Sequence, residues 1–135
     1  MLKKVFSVLL LSISFSAFAF AAADVGPSNS SGGTDGTTKV RGHLAVIQGG
    51  IIYEDHAQAS TNSNSLGTVG AMAVIHWATS SNGDLTDSDY EINNNSLSAS
   101  TEVYADNNYG TYATGGHTYS STAYGSYSGS TQLNF

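Results

Sequence analysis

The chain has 135 residues, with ten acidic side chains, four basic side chains and no cysteine. This negative balance argues against nucleic acid as a partner, because binding to phosphates needs clustered Lys or Arg. Without cysteine, the disulfide bonds that often stabilise a small exported domain are excluded. The length fits a single domain.

The amino terminus has the layout of a secretory signal peptide. In MLKKVFSVLLLSISFSAFAFAAADVG, two lysines precede an apolar run over residues 5–20, and small alanines follow over 19–23. This layout predicts a cleaved signal peptide over 1–23 and a mature chain that begins at Ala22 or Asp24. The run approaches the length of a membrane span, but its serine and alanine interruptions favour cleavage. We therefore expect no stable membrane span after cleavage. The protein would be secreted, to the cell surface or the extracellular space, after periplasmic transit in a Gram-negative host.

Residues 24–38 have the composition of a linker. The segment DVGPSNSSGGTDGTT holds the only proline of the chain and several glycines. Segments of this kind are flexible because they bury little apolar surface. We predict a flexible N-terminal extension over 24–38 and a β domain over 39–135.

The first strand of this domain is predicted from KVRGHLAVIQGGIIYEDH. Gly49-Gly50 lies between two β-branched runs and fits a two-residue hairpin turn. Such a turn would place Ile47 opposite Ile52. The apolar residues that share one parity are Val40, Leu44 and Val46.

A central strand is predicted from LGTVGAMAVIHW. Its alanines would also fit a helix, but Gly67, Gly70 and the β-branched pair at 74–75 argue against one. As a strand it is apolar on both faces, which is typical of a strand with neighbours on both sides. One face carries Val69, Ala71, Ala73, Ile75 and Trp77. The other face carries Met72, Val74 and His76.

Strand alternation continues through DLTDSDYEINNNSLSASTEVY. Residues 93–95 and 106–108 predict turns, because Asn and Asp tolerate left-handed backbone angles. Four carboxylates in 84–91 would line the wet face of a strand; calcium binding stays open, although the spacing differs from that of a helix-loop-helix site. In total we count roughly six to eight short strands and no helix. The predicted fold is all-β, a single small antiparallel sandwich or an open barrel.

Tyrosines recur in YADNNYGTY and YSSTAYGSY, at positions 104–112 and 119–127. In one interpretation they form cross-strand ladders, which supply buried area where Leu and Phe are scarce. In the other they form an exposed stacking face for a polysaccharide or another surface ligand. The residues of that face would be Tyr109, Tyr112, Tyr124 and Tyr127.

No motif in the sequence predicts catalysis. The spacings H-E-x-x-H, G-x-S-x-G and S-x-x-K are absent, and the four histidines are dispersed. We expect no enzyme activity, no cofactor and no zinc.

Both ends of the predicted domain resemble chaperone-usher pilins, the subunits of bacterial fimbriae. KVRGHLAV resembles their first strand, in which alternating apolar residues flank a glycine. AYGSYSGSTQLNF resembles their last strand, which alternates up to an aromatic carboxyl end. The resemblance implies an incomplete immunoglobulin-like sandwich that a strand from the next subunit completes. It also implies candidate assembly strands, marked by Val40, Leu44, Val46, Leu133 and Phe135. A looser likeness, in Gly, Ser, Asn and Tyr content, is to curli-type secreted amyloid subunits.

These features predict a secreted structural or adhesive surface protein. It would be a fibre-forming or pilin-like subunit that self-associates, or joins partner subunits, by pairing strands between chains. The alternative is a small secreted binding module that holds a polysaccharide or another surface ligand on its tyrosine-rich face.

Overall fold

The computed structural model describes residues 19–29, 31–32, 38–49, 54–77, 85–105 and 110–135. The regular secondary structure within these ranges consists of β-strands alone, and all the strand pairs are antiparallel. The strands form one sheet that is nearly closed into a barrel, which confirms the predicted all-β class. The described part of the chain contains no helix of the length and hydropathy needed to cross a bilayer.

Within the described residues, seven strands make up the sheet. They are β1 (Ala19–Asn29), β2 (Ser31–Gly32), β3 (Lys39–Gln48), β4 (His56–Trp77), β5 (Leu85–Tyr104), β6 (Gly110–Ser121) and β7 (Gly125–Asn134). Their order is β1-β3-β4-β6-β7-β2, and β5 pairs with β4 outside this path. Since β2 follows β1 along the chain and pairs with β7, the two ends of the chain close the ring.

β4 belongs to both halves of the sheet. Its first half, up to Ser63, pairs with β3 on one edge and with the end of β5 on the other. Its second half, from Thr68, pairs with β5 and β6. Because β5 follows one edge of β4 throughout, β3 and β6 occupy the other edge in succession. The register of β4 against β5 shifts between Asn62 and Val69, and the two halves bend toward each other there.

The inward-facing residues form two apolar clusters. The first contains Leu44, Val46, Ala57, Ala59, Ala73, Ile75, Val103, Ala105 and Ala113. The second contains Val40, Val69, Ala71, Ala99 and Tyr119. Val69, Ala71, Ala73 and Ile75 share the inward face of the central strand, and that strand has neighbours on both sides, as predicted. Seven of the fourteen residues in the two clusters are alanine, so the core is thin.

A polar belt centred on His117 separates the two clusters. The side chain is fully buried; its Nδ1 lies 3.1 Å from Thr61 Oγ1, and its Nε2 lies 2.9 Å from Thr131 Oγ1. Thr61 donates its only hydroxyl hydrogen to the carbonyl of Gly70 at 2.8 Å, so it can only accept from His117. The imidazole therefore carries its proton on Nδ1 and accepts from Thr131 at Nε2. Burial lowers the pKa of His117 below its ordinary value of 6.5, which keeps the ring neutral.

Glycines leave space for the rings that enter the core. A Cβ atom at Gly42 would overlap the imidazole of His117. A Cβ atom would likewise overlap a ring at three other glycines: Tyr119 at Gly67, Phe135 at Gly110 and Tyr127 at Gly129. Rings that lie over glycines add buried area to a core with few large aliphatic side chains.

A buried carboxylate connects three segments at one end of the barrel. Asp55 Oδ1 accepts the N–H of Gly49 at 3.0 Å, and Asp55 Oδ2 accepts the N–H of Gly110 at 2.9 Å. The backbone carbonyl of the same residue accepts the N–H of Ala105 at 2.9 Å. These bonds join the end of β3, the end of β5 and the start of β6. Both carboxylate oxygens have donors, so the charge is tolerated at a buried position.

The connection between β3 and β4 differs from the predicted hairpin. Ile47 pairs with His56 instead of Ile52, so the predicted register is wrong. Residues 50–53 of the predicted turn lie outside the described residues. The longer connection places Asp55 where its carboxylate reaches the backbone at the end of β3.

The predicted turn at 93–95 is also wrong. β5 continues without a break from Leu85 to Tyr104, and Asn95 has a positive φ of 51°. The tolerance of Asn for left-handed angles is used at the bend of a continuous strand instead of at a turn. The predicted turn at 106–108 lies outside the described residues.

The predicted boundary at residue 39 does not coincide with the first paired residue. Within the predicted extension, residues 24–29 pair with β3 and residues 31–32 pair with β7. Residues 19–23 of the predicted signal peptide also pair with β3. Gly26 has a positive φ of 86° and the register shifts there, an irregularity that accommodates Pro27, which has no N–H to donate to the ladder.

Replacing Gly42 with Ala is expected to lower the free energy of unfolding by about 1–3 kcal/mol, because the new methyl group overlaps the ring of His117. Gly116→Ala is the matched control, since its Cβ would meet no atom closer than Met72 Cε at 3.4 Å. Urea denaturation measures both variants. Equal midpoints for the two would contradict the packing of the ring on Gly42.

The lowered pKa of His117 predicts a loss of stability in mild acid. The unfolded chain takes up a proton as the pH falls through about 6.5, whereas the folded chain resists it, so stability is full above that value and decreases below it. The slope attributable to this residue is at most about 1.4 kcal/mol per pH unit. We expect urea midpoints between about pH 7.5 and pH 5.5 to change less in His117→Gln than in the wild type. If His117→Gln keeps the wild-type slope, the assignment is wrong.

Replacing Asp55 with Asn is expected to destabilise the protein by about 1–3 kcal/mol, because one backbone donor then faces an amide NH₂ instead of an oxygen. Asp87→Asn, at an exposed position of β5, is the control and should be nearly neutral. Thermal and urea unfolding measure the difference. Similar stability of the two variants would show that the Asp55 bonds contribute little.

Candidate assembly surface

β5 has a free edge. Among the described residues it pairs only with β4. The N–H of Ser100 points away from β4, because it donates to Glu91 Oε2 at 2.7 Å. The N–H of Ser98, two residues earlier, donates to Ser96 Oγ at 3.2 Å. Since alternate residues of an antiparallel strand point the same way, the even-numbered residues of this half present their N–H and C=O groups to the free edge.

Acidic side chains cover part of this edge. Glu91 bonds to the backbone of Ser100, and Asp89 Oδ2 accepts a hydrogen bond from Thr101 Oγ1 at 2.8 Å. Both carboxylates come from the first half of β5 and reach the second half across the bend. Charges on an edge strand limit uncontrolled pairing with other chains.

An exposed apolar strip runs over the first half of β5 and the adjoining part of β4. Tyr90 pairs with Met72 of β4, and Ile92 pairs with Gly70. Tyr90 is 70% exposed, Ile92 is 59% exposed and Met72 is 44% exposed. We call Met72, Tyr90 and Ile92 the outer strip. Contiguous apolar side chains beside a free edge are typical of a surface that associates.

The acidic residues of β5 alternate with the outer strip along the strand. Asp87, Asp89 and Glu91 share the opposite face, whereas Asp84 lies outside the described residues. Asp89 and Glu91 are bonded within β5 itself. In the parts of the chain that the structure describes, no three His, Asp or Glu side chains form a group that could hold a metal ion.

β3 carries basic side chains and is covered on one edge by β1. Asp24 of β1 lies opposite His43; its Oδ1 is 2.6 Å from His43 Nδ1, and its Oδ2 is 2.9 Å from Arg41 Nη2. The hydrogen bond from His43, together with the charge of Arg41, holds the pKa of Asp24 below its ordinary value. The exposed Lys39 lies on the same strand. Asp24 thus anchors β1 to β3.

The residues predicted to mark assembly strands lie in or against the core. The first three, Val40, Leu44 and Val46, are buried in β3, which has β1 and β4 on its two sides. Leu133 and Phe135 pack against the first cluster. All five therefore support the barrel from within.

The predicted stacking residues do not share one face. Tyr112 lies on the outer face of β6, where it stacks on a histidine ring at a centroid distance of 3.8 Å. Tyr127 faces inward opposite Tyr119, and with Tyr124 it packs against the second cluster. Tyr109 lies outside the described residues. The pairing of Tyr119 with Tyr127 agrees with the ladder interpretation of the tyrosine repeat.

A shallow depression of about 740 Å³ lies at the bend of the sheet. It is lined by hydroxyl, amide and glycine residues, with Leu66 as its large apolar side chain. Of the candidate tyrosines that the structure describes, Tyr112, Tyr124 and Tyr127, none is among these lining residues. The described lining therefore offers no ring on which a carbohydrate could stack.

No motif in the sequence marks the outer strip, Asp55 or His117. Alternation shows that Tyr90 and Ile92 share a face, but it gives no sign that this face is uncovered. A polar residue just before a strand, as at Asp55, is a weak signal of a role at a strand end. No sequence signal marks His117 as a core residue between two clusters.

No family model matches this chain, and no curated protein or solved structure matches it either.

Proposed function

We propose that the protein is an exported structural or adhesive subunit that assembles by pairing β-strands between chains. The observation that carries the proposal is the free edge of β5, a strand of 20 residues, with the outer strip beside it. A neighbouring strand on that edge would pair with its backbone groups in place of the side-chain bonds from Glu91 and Ser96, and it would cover apolar side chains at the same time.

Assembly would supply stability that a thin core lacks. Half of the residues in the two clusters are alanine, whose burial contributes little free energy compared with larger side chains. Complete burial of a side chain such as Ile92 contributes about 1.5–3 kcal/mol. Each subunit in a chain would therefore be more stable than the isolated protein.

This function is favoured over a polysaccharide-binding module. A stacking platform needs rings that are exposed on one face, but Tyr112 and Tyr127 face opposite sides of the sheet. The buried position of Tyr119 and its pairing with Tyr127 support a structural role for the repeat.

A pilin-like mode of assembly is part of the proposal. The segments that resemble the first and last pilin strands are β3 and β7, and both are strands of the antiparallel sheet. In this mode, main-chain hydrogen bonds would provide the affinity and the outer strip would provide part of the specificity.

The double substitution Tyr90→Ser and Ile92→Thr is expected to raise the concentration needed for assembly by about tenfold or more, because it removes apolar area beside the edge. Sedimentation velocity over a wide concentration range, with electron microscopy of the concentrated protein, measures assembly. Leu66→Ser is the matched control, since Leu66 is 50% exposed but lies at the bend. A wild-type protein that stays monomeric at every concentration would overturn the proposed function.

A further inference from the structure

The end of the predicted signal peptide is a strand of the sheet. Residues Ala19–Ala23 of β1 pair with residues Leu44–Gln48 of β3. Ala21 and Ala22 are exposed, so the segment lies at the surface. Cleavage before Ala22 or Asp24 would remove part or all of it and leave this stretch of β3 without a partner on that edge.

The rest of β1 would stay attached. Asp24 is bonded to Arg41 and His43, and residues 25–29 pair with the beginning of β3. β2 remains paired with β7. Cleavage would therefore uncover the end of β3, which β4 still holds on the other side.

We propose that Ala19–Ala23 is a removable cover of the β3 edge, and that after its removal Leu44–Gln48 pairs with the free edge of β5 from a second copy. This inference rests on the proposed function and names the two edges that meet. Before cleavage, the cover keeps the β3 edge from pairing with another chain.

Charge favours this choice of edges. Lys39 and Arg41 are the only Lys or Arg residues after residue 4, and both belong to β3. β5 carries four carboxylates, from Asp87, Asp89, Glu91 and Glu102. Asp24 already pairs with Arg41, so Lys39 is the basic side chain of β3 that attracts an approaching β5, whereas another β5 repels it.

Pairing between two different edges allows a filament of subunits to grow. Pairing of β5 with β5 would be symmetric and would stop at a dimer. Pairing of β3 with β5 leaves one unpaired edge of each kind at the two ends, so further copies can add. Removal of the cover thus supplies the second edge that head-to-tail growth requires.

Hydrogen exchange tests the cover. Intact mass of the exported product is expected to show a start at Ala22 or Asp24. At concentrations below assembly, the backbone amides of 44–48 that face β1 are expected to exchange about 100-fold faster in this product than in the full chain held in detergent. The amides of 44–48 should become protected again when the product assembles. The amides of residues 57–61 in β4 serve as the internal control, because their exchange should be the same in both forms. A product that retains Ala19–Ala23, or equal exchange in the two forms, overturns the proposal.

A peptide with the sequence of residues 19–29 tests the site of pairing. Added to the exported product, it is expected to occupy the β3 edge and to shorten the filaments. The same peptide with Ala22→Pro is the matched control, because proline disrupts strand pairing. If filaments grow equally with both peptides, assembly uses another edge and the proposal is overturned, while the proposed function is retained.

Charge variants test the partner strand. Lys39→Glu in the exported product is expected to slow assembly about tenfold, and the additional change Asp87→Lys is expected to restore part of the rate. Unchanged assembly of Lys39→Glu would overturn the pairing of β3 with β5.

Failure of the proposed function gives a separate result. A product that never assembles, yet shows faster exchange at 44–48 after processing, would support the cover and overturn the pairing with a second copy.

Discussion

Packing of the barrel depends on the imidazole of His117. The ring fills the space between two clusters in which half of the residues are alanine, and each ring nitrogen is bonded to a threonine hydroxyl. Because a neutral ring satisfies both partners, it can be buried without the cost of a buried charge. Gly42 and Gly115 leave room for it, so the two halves of the sheet can close around a polar side chain.

The same preference for small side chains explains the importance of edges in this fold. A core of alanine gains little from burial, so a large share of the stability comes from strand ladders, above all those on both sides of β4. Any strand that joins the sheet then matters, whether it belongs to the same chain or to another. The carboxylates that cover part of β5 and the alanines that cover the end of β3 are two ways to control such joining.

Alternation in the sequence was sufficient to predict the all-β class and to place Val69, Ala71, Ala73 and Ile75 on one face of β4, although not that this face points inward. It could not predict the register of β3 on β4, because that register depends on a long connection whose end, Asp55, bonds to distant backbone groups. Asn95 signals a left-handed residue, but only the path of β4 decides that the chain bends there instead of turning back. For the candidate surface, alternation places Tyr90 and Ile92 together, whereas their exposure follows from the tertiary arrangement.

The ring closes through contacts between the two ends of the chain, Ser31 with Ser126 and Gly32 with Gly125. Contacts between residues so distant in sequence form late, because the long intervening loop must be closed first. Of the described strands, β7 is the last to be synthesised, so a nascent chain cannot complete the ring until β7 has been made. The duration of this open state, more than the strength of the finished fold, would determine how long proteases and chaperones can reach the chain.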